Sequence, residues 1–497
     1  MGEFLMDKVD LDDVLDKFGV FDRYHAVSGI FLVLGMAWNA MWYFNFIFVT
    51  EKVEYRCADH LLPNNTSANA STTLWCANPA VCSEWVYDNP DSFVAEFQLA
   101  CQEWKRTLIG GVQSFGLMLG SFIIGALSDR FGRKTLIVIT GVTGAALGLA
   151  KSFSTSYWLY FALEFLEAGF GDVTSPLFTL AVEMVATKSR VTYATICNVG
   201  FSGGLLVVLI AWLVPYWRHF QRVLYAPGLL FIVYIHVIDE SPRWLLSQGK
   251  KEEAVHIIRK AANQNKLNIE ENLIDMISCE KDEGLSFFTV LGNTLKSKSL
   301  LKRFIVCSVC LIACTFASHG LIINSVSLSG NKYTNFALSF GLKLPSSILS
   351  GYIIAKFNRR SPLILFFMAC AALCIGQPFI PKSKYLLWLL ILTYMAGKLT
   401  ASMCLNTALI YTFELFPTKT RSSMHALCLA ISKIGSITAT QTPLMMAYWS
   451  GLPTAMFGGV ALVAGLATLL VPDTGNKNLP NTVCEAEALE YSDRIKK

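Results

Sequence analysis

The amino-acid sequence predicts an all-α membrane protein with twelve transmembrane helices in two pseudo-symmetric six-helix bundles. Three observations carry this expectation. Hydrophobic residues make up 53% of the 497 and charged residues 15%, with a mean hydropathy of +0.46, more apolar surface than one soluble core needs. About twelve stretches reach the roughly 20 apolar residues that a bilayer crossing requires. Short motifs also recur between the halves at a nearly constant offset.

The stretches run 26–49, 107–127, 135–153, 156–182, 192–214, 220–238, 302–325, 333–355, 361–380, 385–413, 422–447 and 453–471. Two long polar segments, 50–106 and 239–301, follow the first and sixth. The expected organisation is a cytosolic N-terminus (1–25), a six-helix bundle (26–238) carrying an extracellular loop (50–106), a cytosolic linker with amphipathic helices (239–301), a second bundle (302–471) and a cytosolic tail (472–497). In the linker, Ala254, Ile257, Ile258 and Ala261 fall on one helical face. The opening MGEFLMDKVDLDDVLDKFG lacks the basic-then-apolar order of a targeting segment. A net charge of +5 over this length argues against a nucleic-acid partner and leaves the lipid bilayer as the expected environment.

Orientation follows from two independent signals. The loops after spans 2, 4, 8 and 10 read SDRFGRK, TKSR, AKFNRR and PTKTR, and such basic clusters mark the cytosol. The segment after span 1 should then lie outside, and it carries NNTS and NAS, which make Asn64, Asn65 and Asn69 candidate glycosylation sites. It also holds Cys57, Cys76, Cys82 and Cys101, an even set that in an oxidising compartment points to two disulfides of unspecified pairing. Both termini fall in the cytosol. Cys307, Cys310 and Cys314 share a helical face, but with no His or carboxylate beside them no metal site is expected.

GALSDRFGRK (Gly125 to Lys134) recurs as GYIIAKFNRR (Gly351 to Arg360) at an offset of 226 residues, and EMVATKSR (Glu183 to Arg190) recurs as ELFPTKTR (Glu414 to Arg421) at 231. A weaker third pair, DESPRW and PDTGN, follows spans 6 and 12. The halves are therefore parallel duplicates, an architecture that places a substrate site between them. Asp129, Arg130, Arg133 and Lys134 crowd a tight turn where they can pair in one state and part in another, a gate that Glu183 with Arg190 and Glu414 with Arg421 would extend, with Glu240 and Arg243 as further gating candidates.

These residues carry a family resemblance. Gly125 to Lys134 resembles the signature loop of the major facilitator superfamily, and ESPRWLL (Glu240 to Leu246) resembles the sequence after span 6 in its organic ion transporters, although sugar porters share versions of both. The long Cys-containing loop, WVYD (Trp85 to Asp88), DDVLDKFGVFDRYH (Asp12 to His25) and YTFELFPT (Tyr411 to Thr418) are similar to the organic cation, anion and carnitine transporter family over most of the chain. The resemblance implies the major facilitator fold and a polyspecific plasma-membrane carrier, without cofactor, that moves a small organic ion by facilitated diffusion or exchange. The relatives' loop usually carries six cysteines and this one has four, so no disulfide map transfers.

Charges at membrane depth indicate the substrate site, because they are costly there and face a cavity or a partner. Lys433 lies twelve residues beyond Arg421, about 18 Å along a helix. Ser436, Thr440 and Gln441 share its face, with His425 two turns earlier. Lys343 and Lys398 are similarly deep. Span 4, YFALEFLEAGFGDVTSP, supplies Glu164, Glu167 and Asp172 and no base, so three acids are expected to face three bases across the cavity. Asn39, Trp42, Asn198, His319, Asn406 and Tyr411 complete the candidate substrate-binding set.

By the resemblance, cation-transporting relatives carry acids at the positions of Lys433 and Lys343, whereas anion-transporting relatives usually carry a base at that of Lys433. Asp172 falls where cation transporters have lysine and Glu164 where the family usually has arginine, so the charge pattern is inverted. Two readings follow: Lys433, with Lys343, binds an organic anion, or Lys433 pairs permanently with Asp172 while Glu164 or Glu167 holds a cation or zwitterion such as a carnitine. Where relatives present aromatics, this chain has Asn198, Gly200 and Ser318, so no substrate preference transfers. No nucleophile, metal cluster or phosphate loop supports an enzyme, a channel filter is not visible, and a non-transporting sensor is the remaining alternative. Oligomeric state is not readable.

Overall fold

The computed structural model describes residues 11–19, 21–58, 76, 82, 84–267, 292, 297–328, 330–381, 383–416 and 421–473. The sequons at Asn64, Asn65 and Asn69, and the side chains of Asn198 and Arg421, lie outside the described residues.

The N-terminal half contains α1 (Arg23–Val49), α2 (Glu103–Phe131), α3 (Arg133–Lys151), a broken α4 (Tyr157–Phe170 and Thr174–Glu183), α5 (Arg190–Gly200, continued by a 3-10 turn Phe201–Leu205 and Leu206–Leu213) and α6 (Trp217–Val237). The C-terminal half contains α7 (Lys298–Ser325), a broken α8 (Lys332–Gly341 and Lys343–Lys356), α9 (Arg360–Gly376), α10 (Leu387–Leu415), α11 (Arg421–Ala439) and α12 (Leu452–Thr468). Among the described residues, eight helices are long and apolar enough to cross a membrane. The expected spans 4, 5 and 12 are interrupted or shorter, and the expected span 11 stops at Ala439, followed by a Pro443-containing turn Thr442–Met445.

Prolines set the two breaks that matter most. Pro176 has no N–H to donate to the carbonyl four residues back, at Asp172, and Pro345 leaves Gly341 in the same position. The chain opens at 171–173 in α4, whereas α8 passes through Leu342 in helical conformation; a charged residue stands at or beside each place, Asp172 in α4 and Lys343 in α8.

Two core clusters form, the first mainly in the N-terminal half but joined by Ile322, Phe336 and Phe340 of the second half, the other within the C-terminal half. One cluster centres on Met36, Trp42, Leu177 and Tyr225, and the other on Leu311, Phe367, Cys404 and Phe457. Helix α2 reaches the backbone of α4 because a Cβ on Gly120 would lie 2.3 Å from the Gly169 carbonyl, so only glycine permits the crossing.

The segment after α1 forms β1 (Tyr55–Cys57) antiparallel to β2 (Trp85–Tyr87), with Arg56 opposite Val86. Cys57 bonds Cys82 and Cys76 bonds Cys101, which resolves the open pairing. A short helix, Phe93–Glu96, seats Phe93 against Tyr160 and Trp217 at centroid distances of 4.9 and 5.3 Å. We call the face with this segment outer and the face with the basic loops inner.

Candidate substrate site between the halves

The duplication is visible atom by atom at the inner face. Arg133 grips Glu183 through Nε and Nη2, both at 3.0 Å, and its Nη1 donates to the Ser128 carbonyl at 2.9 Å. In the second half Arg359 contacts Glu414 at 3.3 Å, and its Nη1 donates to the Ile354 carbonyl at 3.1 Å. Arg359 and Ile354 are the repeat equivalents of Arg133 and Ser128. The third motif pair also aligns: Glu240 accepts from the backbone N–H groups of Arg133 and Lys134 at the start of α3, and Asp473 accepts from that of Arg360 at the start of α9. These carboxylates satisfy helix N-terminal donors.

The expected gate pairs are thereby corrected. Glu183 pairs with Arg133 rather than with Arg190, because the signature-loop arginine reaches across the helix ends, and Glu414 pairs with Arg359; the Arg421 side chain lies outside the described residues. Arg133 also holds Asp129 at 2.9 Å. Arg243 bonds Asp12 and the Val185 carbonyl. Arg130 lies beside the Phe131 ring at 5.4 Å. The Arg133 and Arg359 pairs each join residues of one half.

At the outer face, bonds join the halves. Thr107 on α2 donates to Gln441 Oε1 at 3.0 Å, and Gln441 Nε2 returns to the Thr107 carbonyl at 3.2 Å. Lys332 on α8 pairs with Glu51 after α1 at 2.5 Å. Phe44 packs edge-on against Phe340, 5.0 Å away, and Phe48 stacks on Tyr333. Above this seal lies a cavity of ≈ 670 Å³ lined by both halves and by the outer segment. Below it, two gaps beside Tyr43 measure ≈ 20 and ≈ 10 Å³, far smaller than an organic ligand needs. This is an outward-closed arrangement.

Among the described residues the three bases have no carboxylate partner; Lys433 and Lys343 face the N-terminal half, and Lys398 is held inside the C-terminal half. Lys433 Nζ lies 6.0 Å from the Tyr43 ring of α1. Lys343 Nζ lies 3.8 Å from the Phe201 ring of α5, a cation–π contact across the interface. Lys398 is buried and donates to both the backbone and hydroxyl oxygens of Ser318, each at 2.9 Å. His319 bonds Ser436 at 2.7 Å and packs its ring 5.7 Å from Tyr43. Among the described residues, none of the three lysines is in ion-pairing distance of an acid.

The acids of α4 do not face those bases as a group. Glu164 and Glu167 both pair with Lys151 from α3, at 2.9 and 3.1 Å, inside the N-terminal bundle. Asp172 is close enough to interact electrostatically with Lys433, but no ion pair joins them. Its Oδ1 instead accepts from the Thr174 N–H at 3.0 Å and from the Asn39 amide at 3.2 Å, while Asn39 also bonds Thr174. The carboxylate is held by the N-terminus of a half-helix, which favours negative charge.

Three other candidates belong to packing. Trp42 stacks on Tyr225 at 5.1 Å and donates to the Leu224 carbonyl in the N-terminal core. Tyr411 donates to the Pro472 carbonyl at 2.7 Å, tying α10 to the end of α12. Asn406 bonds Ser347 and Ser350 on α8. Lys151 was missed because a lysine closing an apolar stretch reads as a boundary anchor, and its partners Glu164 and Glu167 lie two to three turns into the next helix.

Two repeated helical bundles meeting at an interface of buried charge define a membrane carrier of the major facilitator fold. The family model described as sugar (and other) transporter matches residues 34–481. Solute carrier family 22 member 2 of Homo sapiens is 30% identical, over 82% of this chain and 74% of its own. Solute carrier family 22 member 1 of Bos taurus and the organic cation transporter protein of Drosophila melanogaster are each 28% identical, over 97% and 96% of this chain and 93% and 94% of their own. The inward-open xylose transporter XylE from E. coli superposes with a TM-score of 0.63 at 15% identity, covering 93% of this chain and 99% of that one. The chain therefore belongs to the organic ion transporters of solute carrier family 22, within the major facilitator superfamily. It is a multi-pass membrane transporter and not an enzyme.

Proposed function

We propose that the chain carries small organic anions across the plasma membrane by alternating access, both termini cytosolic, with Lys433 and Lys343 holding the anionic group. The observation that carries this reading is the pair of interface bases, Lys433 and Lys343, without acidic partners among the described residues, set against α4 acids that are already engaged by Lys151, by Asn39 and by a half-helix N-terminus. A buried cation without a partner is costly. An arriving carboxylate or sulfate would offset that cost, and this supports substrate binding as the event that permits the halves to move. His319, Asn39 and Lys398 would line the same site. The arginine networks at Glu183 and Glu414 would part or re-form as the inner face opens and closes. Asn64, Asn65 and Asn69 are proposed as the outer glycosylation sites.

A second reading has its own support. The Drosophila relative is named an organic cation transporter, which weighs towards cations, and Asp172 would be the group to hold one. Uptake of an aryl carboxylate, an aryl sulfate and a tetraalkylammonium ion by cells expressing the wild type or Lys433→Ala separates the readings. The anion reading expects selective loss of anion uptake, by about tenfold or more for loss of a buried charge-assisted contact. Equal loss of all transport would make Lys433 a structural residue.

A further inference from the structure

We propose that Lys151, Glu164 and Glu167 form a proton-binding site, which holds one proton beyond the lysine's own and exchanges it with the substrate site through Glu167. The cluster lies within α3 and α4: Lys151 Nζ is 2.9 Å from Glu164, 3.1 Å from Glu167 and 3.2 Å from the Tyr225 hydroxyl. The side chains of Lys151 and Glu164 are wholly buried, and that of Glu167 is 5% exposed. One lysine neutralises one carboxylate. The second would leave a negative charge inside an apolar bundle, where a neutral acid is far less costly.

An independent observation marks where the charge is unsupported. Glu164 Oε1 is buried with no hydrogen-bond partner. Among the described residues nothing packed around the cluster brings a further positive charge to it; the hydroxyls of Tyr160 and Tyr225 face Glu164 and Glu167. From α4 and α6, Tyr160 accepts from Gln221 at 2.8 Å. The Tyr225 hydroxyl accepts from Asn45 of α1 at 3.0 Å, and its ring stacks on Trp42. Gln113 of α2 is bonded to the Trp42 carbonyl. Arg218 and Arg222 of α6 face the outer turn instead, on Glu96, Ser152 and Ser154.

The way out is a cavity of ≈ 20 Å³ lined by Glu167, Asp172, Asn39, Gln113 and Tyr43. That is room for about one water among polar groups. A proton leaving the Glu167 carboxyl for this water, which passes one of its own to the Asp172 carboxylate, would remove the negative charge nearest Lys433. Protonation would thereby tune the base at the substrate site.

Infrared spectra of the full-length protein in liposomes at neutral pH, read at the C=O stretch of protonated carboxyl groups, test this without any substrate, so its failure is separate from failure of the anion reading. The wild type is expected to show the band, Glu164→Gln and Glu167→Gln each to lose one carboxyl's worth of area, and Lys151→Met to gain one. The band is expected to shift in D2O, as an exchangeable proton requires. A wild type without the band overturns the proposal even if every variant misfolds. So does a band that survives in both glutamine variants, and a band unmoved by D2O overturns the exchange path.

Discussion

At the scale of single residues, the two signature-loop arginines do similar work in unequal settings. The Arg133 side chain is 10% exposed and bidentate on Glu183, whereas Arg359 is 30% exposed with longer contacts to Glu414. Lysine keeps the charge but lacks the planar fork. Arg133→Lys should therefore cost about 1–3 kcal/mol and Arg359→Lys about 1 kcal/mol or less. Thermal melts of the two purified variants check the order. Gly132 makes a related demand: its φ is +96°, and a Cβ there would meet the Glu240 carboxylate at 2.3 Å. Gly132→Ala should lower the melting temperature by several degrees, consistent with about 1–3 kcal/mol of left-handed strain and lost capping.

At the scale of elements, the breaks in α4 and α8 explain what the residue pattern left open. The charges and both prolines are readable as letters, and the depth of Lys433, Lys343 and Lys398 follows from counting along apolar runs. What a charge touches is not readable that way. The mutual pairing of Lys151 with Glu164 and Glu167 depends on how α3 and α4 rotate about a short turn, and Asp172 is diverted from Lys433 by the helix end that Pro176 creates. The gate partners were misassigned for the same reason, because Arg190 is near Glu183 in sequence while Arg133 is near it in space. A prediction follows for the half-helix. Asp172→Asn keeps an acceptor for Thr174 but removes the negative charge nearest Lys433, so the Michaelis constant for an organic anion should fall about two- to fivefold, as expected for loss of a partly screened interaction. A rise, or loss of transport, would favour a cation held at Asp172.

At the scale of the whole molecule, the duplication, the two bundles and the broad family were legible from repeated motifs, because a repeat and a hydropathy count need no knowledge of side-chain packing. The conformational state was not, since it resides in contacts such as those between Thr107 and Gln441. These contacts make a direct handle on alternating access. A Thr107→Cys, Gln441→Cys pair, once oxidised, should hold the outer face shut and reduce transport to background, with recovery on reduction; the wild type under the same reductant controls for the disulfides Cys57–Cys82 and Cys76–Cys101. Unchanged transport in the cross-linked protein would mean that the outer face need not open there. In the proposed carriage of anions, Lys433 at the meeting of the halves selects the substrate's charge. The most direct measurement is the ratio of aryl sulfate to tetraalkylammonium uptake in wild type and Lys433→Asp at matched surface expression. The account predicts a ratio well above one in the wild type and a fall of about tenfold or more in the variant; a wild type that carries the cation, with a ratio unmoved by the substitution, would contradict it.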